Sequence, residues 1–341
     1  MYNFKKKLIK FFYNSRIKPF LKKKNIIFDK VKIAPEYKVC TFGNKNINKL
    51  FYVIKRYQGG GLFSNFLFVL NHLIQADKLG ATPVVDMENF TNLYNEKKKF
   101  NGTYNSWLYY FDQVSPYTLS EVYKSKKVIF SSEKIFFEQS VSYKKNEKEL
   151  KKAFKKYIKI KKKFIISSNK FAKKNFSNKK VLAVHWRGSD QKVMPSHPFP
   201  PTKKQIIEIT DKLIHDKKFN KIFLVTEEKK YLEIFKKKYG TKLCFFDSFR
   251  SNNRKEITEY PRLNHKYKLG EESLIETLIL SNLSTLVCSR SNISEAAKFL
   301  TNKKNYTIYE IMNGYNSSSV IHSLYLWSLK EKLPSFLGGF K

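Results

Sequence analysis

The chain has 341 residues and a formal net charge of +39, from 67 Lys and Arg against 28 Asp and Glu. Because 42% of its residues are hydrophobic, it can build one large or two ordinary domains, which excludes a wholly disordered protein. Its three cysteines, Cys40, Cys244 and Cys288, have neither the number nor the spacing of a disulfide framework or a zinc cluster. With no span of roughly 20 apolar residues and no recognisable signal peptide, we expect a cytoplasmic protein.

A charge of this size favours anionic partners, namely nucleic acid, anionic lipid or a phosphorylated small molecule. Nearly all of it comes from lysine, in a chain that is also rich in Asn, Ile, Phe and Tyr. This combination is typical of AT-rich codon usage, and much of the lysine charge is then a solvated surface. The few arginines therefore carry more information than the lysines.

Residues 1–30 alternate bulky apolar side chains with lysines, and form the first predicted segment. On a helix, Phe4, Leu8, Phe11 and Phe12 would share one face and the lysines the other. The pattern predicts a basic amphipathic segment, 1–25, on an anionic membrane surface, or a first helix that packs on the protein body.

The region 31–175 is predicted to be an N-terminal α/β domain. A strand at Phe51–Ile54, a glycine turn at 59–61, a helix at 63–79 and a strand at Thr82–Met87 form one βαβ unit. The aromatic-rich segment 89–142 shows no clear periodicity. The lysine-dense stretch 144–180, in which apolar residues recur at helical spacing, predicts a solvated helix and a linker.

The region 176–315 alternates strands with helices, which predicts a parallel, doubly wound sheet. The predicted strands are 181–185, 221–226, 243–247, 285–288 and 306–311, and the predicted helices are 202–215, 228–239, 271–282 and 293–300. A C-terminal helix and tail, 316–341, comes last, with its helix at 320–332.

Ligands of open α/β sheets bind outside the carboxyl ends of the strands, so the residues just after each strand are the candidates for a site. After the first strand come His185, Arg187 and Asp190. The planar guanidinium suits bidentate recognition of phosphate, which lysine cannot copy, and Gly188 permits a close approach. The alternative is an ordinary surface turn.

Two further strand ends carry polar residues. Glu227 and Glu228 come after the second strand, and Arg290, Ser291 and Asn292 open a helix after the fourth. A helix start with hydroxyl groups and an arginine is an anion site, although a plain N-cap would look the same. Together the strand ends predict a phosphate-ligand site.

An aromatic cluster in the first half has two interpretations. Trp107, Tyr109, Tyr110, Phe111 and Tyr117 would form either a platform for a carbohydrate acceptor, at Trp107 and Tyr110 above all, or the core of the domain. The triplet Asp86-Met87-Glu88 is weak evidence for a metal site, and we predict none.

The segment Val184–Asp190 resembles the first motif of the α1,6-fucosyltransferase and protein O-fucosyltransferase superfamily. The block from Glu272 to Asn292 resembles a later motif of that group, and Gly59-Gly60-Gly61 its N-terminal glycine turn. Residues 105–111 are similar to a segment of its bacterial surface-polysaccharide members. The resemblance spans about residues 48–312.

The resemblance implies a GT-B-like pair of Rossmann-type domains that face each other across a cleft. It also implies a GDP-sugar donor, usually GDP-fucose, inversion at the anomeric carbon and no required metal or other cofactor. Arg187 would hold the β-phosphate, Ser291 and Asn292 would add phosphate contacts, and Glu276 would bind the guanine or the ribose. The remaining implied donor residues are His185, Glu227, Glu228 and Arg290, and the implied cleft residues are Gly59, Gly60, Gly61 and Asn65.

The sequence departs from the family pattern at two points. Gly188 stands where the motif has a second arginine, which removes a phosphate contact and would leave room for a different sugar. The loop 191–196 lacks the acid found in the α1,6 type, so Asp190 and His197 are the local candidates for a general base. A dissociative path that needs little help from a base is equally open.

The resulting hypothesis is a peripherally membrane-bound glycosyltransferase that moves a sugar, fucose above all, to a bacterial surface glycan such as capsule or lipopolysaccharide. A lipid-linked acceptor would explain the basic N-terminal segment. The alternatives are another GDP-sugar, such as a heptose or mannose, a nucleic-acid-binding protein, and a descendant of the fold with a dead site.

Overall fold

The computed structural model describes residues 27–29, 37–56, 59–132, 146–251, 256 and 259–341, with the side chains of 27–29, 189 and 190 left out of the description. The prediction of a basic amphipathic segment at 1–25 lies outside these residues. Two five-stranded sheets form the framework. No helix of the described ranges is long and apolar enough to cross a bilayer.

The N-terminal sheet is mixed. Its strands are β1 (Ile27–Asp29), β2 (Val39–Thr41), β3 (Lys45–Ile54), β4 (Thr82–Val85) and β5 (Ser125–Phe130), in the order β1-β2-β5-β3-β4. Both β4 and β5 run parallel to β3, whereas β2 is antiparallel to β5 and to β1. Helix α1 (Leu62–Lys78) joins β3 to β4, which confirms the predicted βαβ unit.

Three elements of this half differ from the prediction. Strand β3 begins at Lys45, six residues before the predicted start, and β5 lies in the segment expected to be irregular, together with the short helices α2 (Trp107–Tyr110) and α3 (Leu119–Val122). The first part of β3 is largely exposed and polar, and the first three residues of β5 are Ser and two Lys. Neither has the apolar alternation that identifies a strand from sequence.

The lysine-dense stretch consists of helices α4 (Glu147–Tyr157) and α5 (Lys162–Phe176). It is not a solvated linker, because both helices bury a narrow apolar face and turn their lysines outward. Phe154 of α4 lies against Phe66 of α1, with ring centroids 6.0 Å apart. It also lies 5.8 Å from Phe299 of the C-terminal half, so one apolar core runs through both halves.

The C-terminal sheet is fully parallel, as predicted. Its strands β6 (Val181–His185), β7 (Lys221–Val225), β8 (Leu243–Cys244), β9 (Thr285–Cys288) and β10 (Thr307–Glu310) lie in the order β10-β9-β6-β7-β8. Helices α6 (Lys203–Lys217), α7 (Lys229–Tyr239), α8 (His265–Asn282) and α9 (Asn292–Leu300) connect them. The chain leaves the central strand β6 in one direction, towards β8, and returns to build β9 on the other side.

This arrangement confirms the predicted doubly wound architecture with two α/β sheets. The C-terminal helix α10 (Val320–Lys332) also matches the prediction. Helix α8 starts six residues earlier than predicted, and Gly270 within it packs directly against the phenol of Tyr110. Only a glycine allows that contact, and the hydroxyl of Tyr110 donates to the carbonyl oxygen of Tyr267 at 2.9 Å.

Candidate functional site

A cleft of about 490 Å³ lies at the carboxyl ends of the central strands of the C-terminal sheet. The chain reverses its direction across the sheet between β6 and β9, and the two loops after these strands diverge there. Such a switch point is where ligands bind in open α/β sheets. The opposite wall comes from the N-terminal half, through Gly59, Gly61, Leu62, Phe63, Leu93 and Tyr94.

Arg187 enters the cleft two residues after β6. Its Nη1 donates to Oε2 of Glu227 at 2.8 Å, and Glu227 lies just after the neighbouring strand β7 and also lines the cleft. The preceding residue, Trp186, is buried and stacks on Tyr231 with ring centroids 3.7 Å apart and planes 6° apart. The guanidinium is therefore held in one orientation at the cleft, which preorganises it for an anion.

Gly188 does not leave room for a different sugar, contrary to the expectation from the motif. A Cβ at this position would lie 2.5 Å from Cε2 of Tyr231 and closer still to the carboxylate of Glu228. The tyrosine cannot withdraw because it is stacked on Trp186. The volume that a second arginine would need is therefore already filled by α7 and the residue before it.

Ser291 is the N-cap of α9. Its Oγ accepts from the backbone N–H of Ser294 at 3.1 Å, and the Ser294 hydroxyl accepts from the N–H of Ser291 at 2.9 Å. The N-cap interpretation is thus correct, yet Ser291 and Asn292 also line the cleft. The positive end of the α9 dipole faces the same space as Arg187, which favours an anion there.

His185 is the last residue of β6 and is fully buried. Its Nδ1 lies 3.4 Å from the Ser291 hydroxyl, and its Nε2 has no hydrogen-bond partner among the described residues. Burial, and then the charge of Arg187, lower the pKa of His185 to about 3, so the ring is neutral at physiological pH. It lines the cleft as a neutral group, not as a second cation.

Two carboxylates one helical turn apart on α8 also line the cleft. Glu276 is buried and accepts from Ser248 Oγ at 2.8 Å and from Arg250 Nη2 at 3.3 Å. Burial raises its pKa to about 7, although the nearby Arg250 charge opposes the shift. Near neutral pH the Glu276 side chain is therefore present in both its protonated and its ionised form.

Glu272 is the second of these carboxylates. It accepts from both terminal nitrogens of Arg262, at 2.5 and 2.8 Å, and from the backbone N–H of Phe249 at 3.0 Å. These bonds fasten the segment that carries Phe249 into the cleft. Sequence reasoning missed Arg250, Arg262 and Phe249, although the scarcity of arginine already marked the first two.

The N-terminal wall is organised by Arg56, which lies just after β3. Its Nη1 donates to Ser64 Oγ at 3.0 Å and to Asn65 Oδ1 at 3.2 Å, and a Cβ at Gly59 would collide with that amide oxygen. Gly59 and Gly61 line the cleft, whereas Gly60 and Asn65 do not. Asn65 lies outside the lining of this cleft, because its amide oxygen accepts from Arg56 and holds the turn.

Tyr94 completes this wall, and the sequence did not point to it. Its hydroxyl accepts from the backbone N–H of Leu62 at 2.6 Å, which fixes the start of α1. Burial raises its pKa to about 12, so the phenol stays protonated and keeps a proton to donate.

Two residues predicted for the donor site lie outside the cleft lining. Arg290 Nη1 donates to the hydroxyl of Tyr315 at 3.0 Å, away from the cleft. Glu228 fills the space beside Gly188 and lies 3.7 Å from the ammonium of Lys192. Both were placed at the site because they come after strands, but their side chains turn towards neighbouring loops.

Of the two base candidates, His197 lines the cleft. Its Nδ1 donates to the carbonyl oxygen of Pro195 at 3.0 Å, which leaves Nε2 as the acceptor nitrogen in the neutral ring. The backbone of Asp190 lies in a short 3-10 helix, Ser189–Lys192. Its side chain is not described, and its role stays a prediction.

Trp107 and Tyr110 are core residues, and the acceptor-platform interpretation is wrong for both. Each is almost fully buried. Trp107 stacks on Phe111 at 4.3 Å and donates its indole N–H to the carbonyl of Asp112 at 3.0 Å. The faces that would hold a sugar are occupied by other rings.

The carboxylate of Asp86 stabilises local structure. It accepts from the Tyr123 hydroxyl at 2.6 Å and from the backbone N–H groups of Glu88 and Asn89 at 3.0 and 2.9 Å. The described residues contain no group of three or more His, Cys, Asp or Glu side chains arranged to hold a metal ion.

No family model matches the chain, and no curated protein matches its sequence. Solved structures with a similar fold include NodZ α1,6-fucosyltransferase co-crystallised with GDP, with a TM-score of 0.48 and 15% identity over 78% of this chain and 96% of that one. Fucosyltransferase NodZ from Bradyrhizobium has a TM-score of 0.47 and 14% identity over 74% and 94%. POFUT1 in complex with GDP has a TM-score of 0.40 and 11% identity over 73% and 94%. At these TM-scores and identities the likeness assigns no activity to this chain, and its chemistry is argued from the residues of the cleft.

Proposed function

We propose that the chain is a glycosyltransferase that binds a GDP-sugar in the cleft at the ends of β6 and β9. One observation carries this proposal. One cleft is lined by a preoriented cation, Arg187, by a helix N-terminus and by a buried carboxylate, Glu276. A nucleoside diphosphate with a purine that donates hydrogen bonds has groups that match all three.

At the phosphate end, Arg187 and the N-terminus of α9 supply positive charge from two directions. When a glycosidic bond to a diphosphate breaks, negative charge develops on the departing phosphate. A cation that is already fixed stabilises that transition state more than the ground state. Arg187 is fixed by Glu227 at 2.8 Å, and this is the role we assign to it.

At the base end, Glu276 sets the preference for guanine. The N1–H and N2–H₂ groups of guanine are adjacent donors that a single carboxylate accepts. Arg250 and Ser248 hold the carboxylate in place through contacts at 3.3 and 2.8 Å. Neither uracil nor cytosine offers two adjacent donors, so pyrimidine nucleotides would leave the buried Glu276 poorly paired.

For the sugar, the motif resemblance favours fucose, with a GDP-linked heptose or mannose as the alternative. The acceptor we propose is a bacterial surface glycan, and inversion without a metal is the mechanism implied by the family. His197 Nε2, in the cleft, is the better-supported base, and Asp190 is the second candidate. The nucleic-acid alternative has less support, because Arg187, Arg250 and Arg262 each pair with a carboxylate and so form no open basic track.

The test is calorimetric titration of the full chain with GDP, UDP, CDP and a short RNA, without added metal. We expect micromolar binding of GDP and much weaker binding of the other ligands. Arg187→Ala removes a charged hydrogen bond to phosphate and should weaken GDP about 100-fold. Arg290→Ala is the matched control, since it removes the same charge outside the cleft and should change the GDP affinity by less than about threefold.

Two outcomes would contradict the proposal. Folded wild-type protein that binds none of the nucleotides would show that the cleft does not take them. Equal losses in Arg187→Ala and Arg290→Ala would mean that only the overall positive field is sensed. In either case, RNA binding that falls steeply with salt concentration would favour the nucleic-acid alternative.

A further inference from the structure

Helix α10 shows its apolar side to the outside of the molecule. Ile321, Tyr325 and Leu329 are 70%, 69% and 54% exposed, and residues four apart lie on one helical face. Val320 and Leu324 flank them and are also exposed, whereas Ser323 and Trp327 face the protein body. A helix on a water-facing surface normally has the opposite arrangement.

Exposed apolar residues are also found in the segments just before and just after the helix. Nine exposed residues in this part of the chain are referred to together as the C-terminal apolar surface. They are Met312, Tyr315, Val320, Ile321, Leu324, Tyr325, Leu329, Phe336 and Leu337. They account for most of the large apolar side chains that are exposed within the described residues. Isolated exposed apolar residues are ordinary, but nine of them between residues 312 and 337 indicate an interaction surface.

The segment before α10 and the buried side of α10 contact the loop that carries His197 and Lys192. The segment before α10 is bonded to the loop that carries His197, since the N–H of Asn316 donates to the His197 carbonyl at 2.8 Å and the N–H of Phe199 donates to the Gly314 carbonyl at 2.9 Å. The ammonium of Lys192, in the loop after Arg187, lies 4.9 Å from the ring centre of Trp327. Helix α10 is therefore anchored through its buried side to a loop that contributes His197 to the cleft.

We propose that the C-terminal apolar surface lies on an anionic lipid bilayer. Residues 311–341 carry three lysines, Lys330, Lys332 and Lys341, against one acid, Glu331, so the surface combines aliphatic side chains with positive charge. Two of its members are the exposed tyrosines Tyr315 and Tyr325. Tyrosine is favoured at the level of the lipid head groups, where one end of the ring is apolar and the other is wet.

Charge also decides against a second copy of the chain as the occupant. With a net charge of +39, two copies repel each other, whereas an anionic membrane attracts each of them. Aliphatic side chains that enter the head-group region add the apolar part of the binding free energy. The result is a peripheral attachment through the C-terminal helix.

This docking does not depend on the nucleotide proposal, since it is measured without any nucleotide. The two are related only in their purpose, because a glycosyltransferase with a lipid-linked acceptor would need its cleft at the membrane. Failure of GDP binding would leave the docking intact, and failure of docking would leave GDP binding intact.

The first experiment is co-sedimentation of the full chain with vesicles made of equal parts phosphatidylglycerol and phosphatidylcholine. Ile321→Ser combined with Leu329→Ser should weaken binding about tenfold or more. The matched control is Ile47→Ser combined with Ile166→Ser, two aliphatic residues that are 52% and 63% exposed elsewhere, and it should bind like the wild type. Equal binding by both double variants would overturn the proposal.

The second experiment shows which surface touches the lipid. The three tryptophans of the chain, Trp107, Trp186 and Trp327, are all buried, so Tyr325→Trp introduces the one exposed indole on this surface. Vesicles with brominated acyl chains should quench its emission. Bound protein without quenching would mean that another region, such as residues 1–25, makes the contact, and would overturn the proposal. A dimer in solution that Ile321→Ser with Leu329→Ser dissociates, without vesicle binding, would identify a self-association surface and overturn it as well.

Discussion

Arg56 and Arg187 occupy equivalent places in the two halves of the molecule, yet they do different work. Each comes after a strand flanked on both sides by parallel neighbours, β3 in one sheet and β6 in the other. Arg56 bonds to Ser64 and Asn65 on the helix after its own strand, and its guanidinium lies 4.9 Å from the ring centre of Phe68. Arg187 instead pairs with Glu227, at the end of the neighbouring strand.

The difference shows that the origin of the partner decides the role of such an arginine. When the partner lies on the next helix, as for Arg56, the guanidinium packs against the protein and stabilises the turn between strand and helix. When the partner lies at the end of the adjacent strand, as for Arg187, the guanidinium stays at the carboxyl edge of the sheet and lines the cleft. A position after a parallel strand is therefore not sufficient evidence for a ligand-binding arginine.

The largest expected effects separate the two arginines. Arg56→Ala should lower the free energy of unfolding by about 1–3 kcal/mol, because it leaves the buried amide oxygen of Asn65 without its Arg56 donor, and should change GDP affinity by less than about threefold. Arg187→Ala should do the converse, with the roughly 100-fold loss of affinity and a change in stability under about 1 kcal/mol. Urea denaturation and calorimetry measure the two quantities on the same samples.

If both variants lost stability equally and affinity equally, the two turns would have the same role. The contrast between a structural and a ligand-facing arginine would then be wrong.

A smaller effect is expected from the glycines of the two turns. Gly188→Ala should destabilise the protein by about 1–3 kcal/mol, since the added methyl group meets the ring of Tyr231, which is stacked on Trp186. Gly59→Ala meets mainly the amide oxygen of Asn65, the end of a side chain that rotates, and should cost less. Denaturant midpoints of the two variants give the comparison, and a larger loss at Gly59 would contradict it.

The smallest effect is a pH dependence that belongs to the C-terminal half. Because the pKa of Glu276 is raised to about 7 by burial, the group is increasingly ionised as the pH rises through neutrality. Only the ionised carboxylate accepts both guanine donors, so GDP affinity should rise with pH by up to about tenfold per pH unit below that pKa, and then level off. Calorimetry across this range measures the profile.

Glu276→Gln is the control for this profile, and its GDP affinity should be flat over the same range. The sign for stability is the reverse. The pKa of Glu276 in the folded protein lies above the ordinary value of 4.5, so the folded protein binds this proton more tightly than the unfolded chain does. The wild type should therefore lose stability relative to Glu276→Gln as the pH rises from 4.5 through about 7. If the GDP affinity of the wild type fell as the pH rose, Glu276 would be excluded as the guanine acceptor.

Most elements of the C-terminal half were predictable because they have a complete local pattern, although α8 starts earlier and β8 is shorter than predicted. Strand β6 is a short apolar run that ends at His185, and α10 occupies the predicted residues. Strand β5 and the first part of β3 were not predictable from sequence. Their exposed positions hold lysines, and lysine is so common in this chain that it does not distinguish a strand from a loop. Position after a strand identified Arg187, Glu227 and Ser291, but it also selected Arg290 and Glu228, which turn away from the cleft.

The sequence alone determined the order of strands and helices in the C-terminal half, its doubly wound sheet and the polar residues at the strand ends, because these depend on periodicity over a few neighbouring residues. The tertiary structure decided which of those residues meet in one cleft. Arg250 and Arg262 reach Glu276 and Glu272 across a loop, and Trp107 and Tyr110 are sealed in the core by rings from other segments. Such side-chain directions depend on contacts between residues far apart along the chain, which no local pattern records.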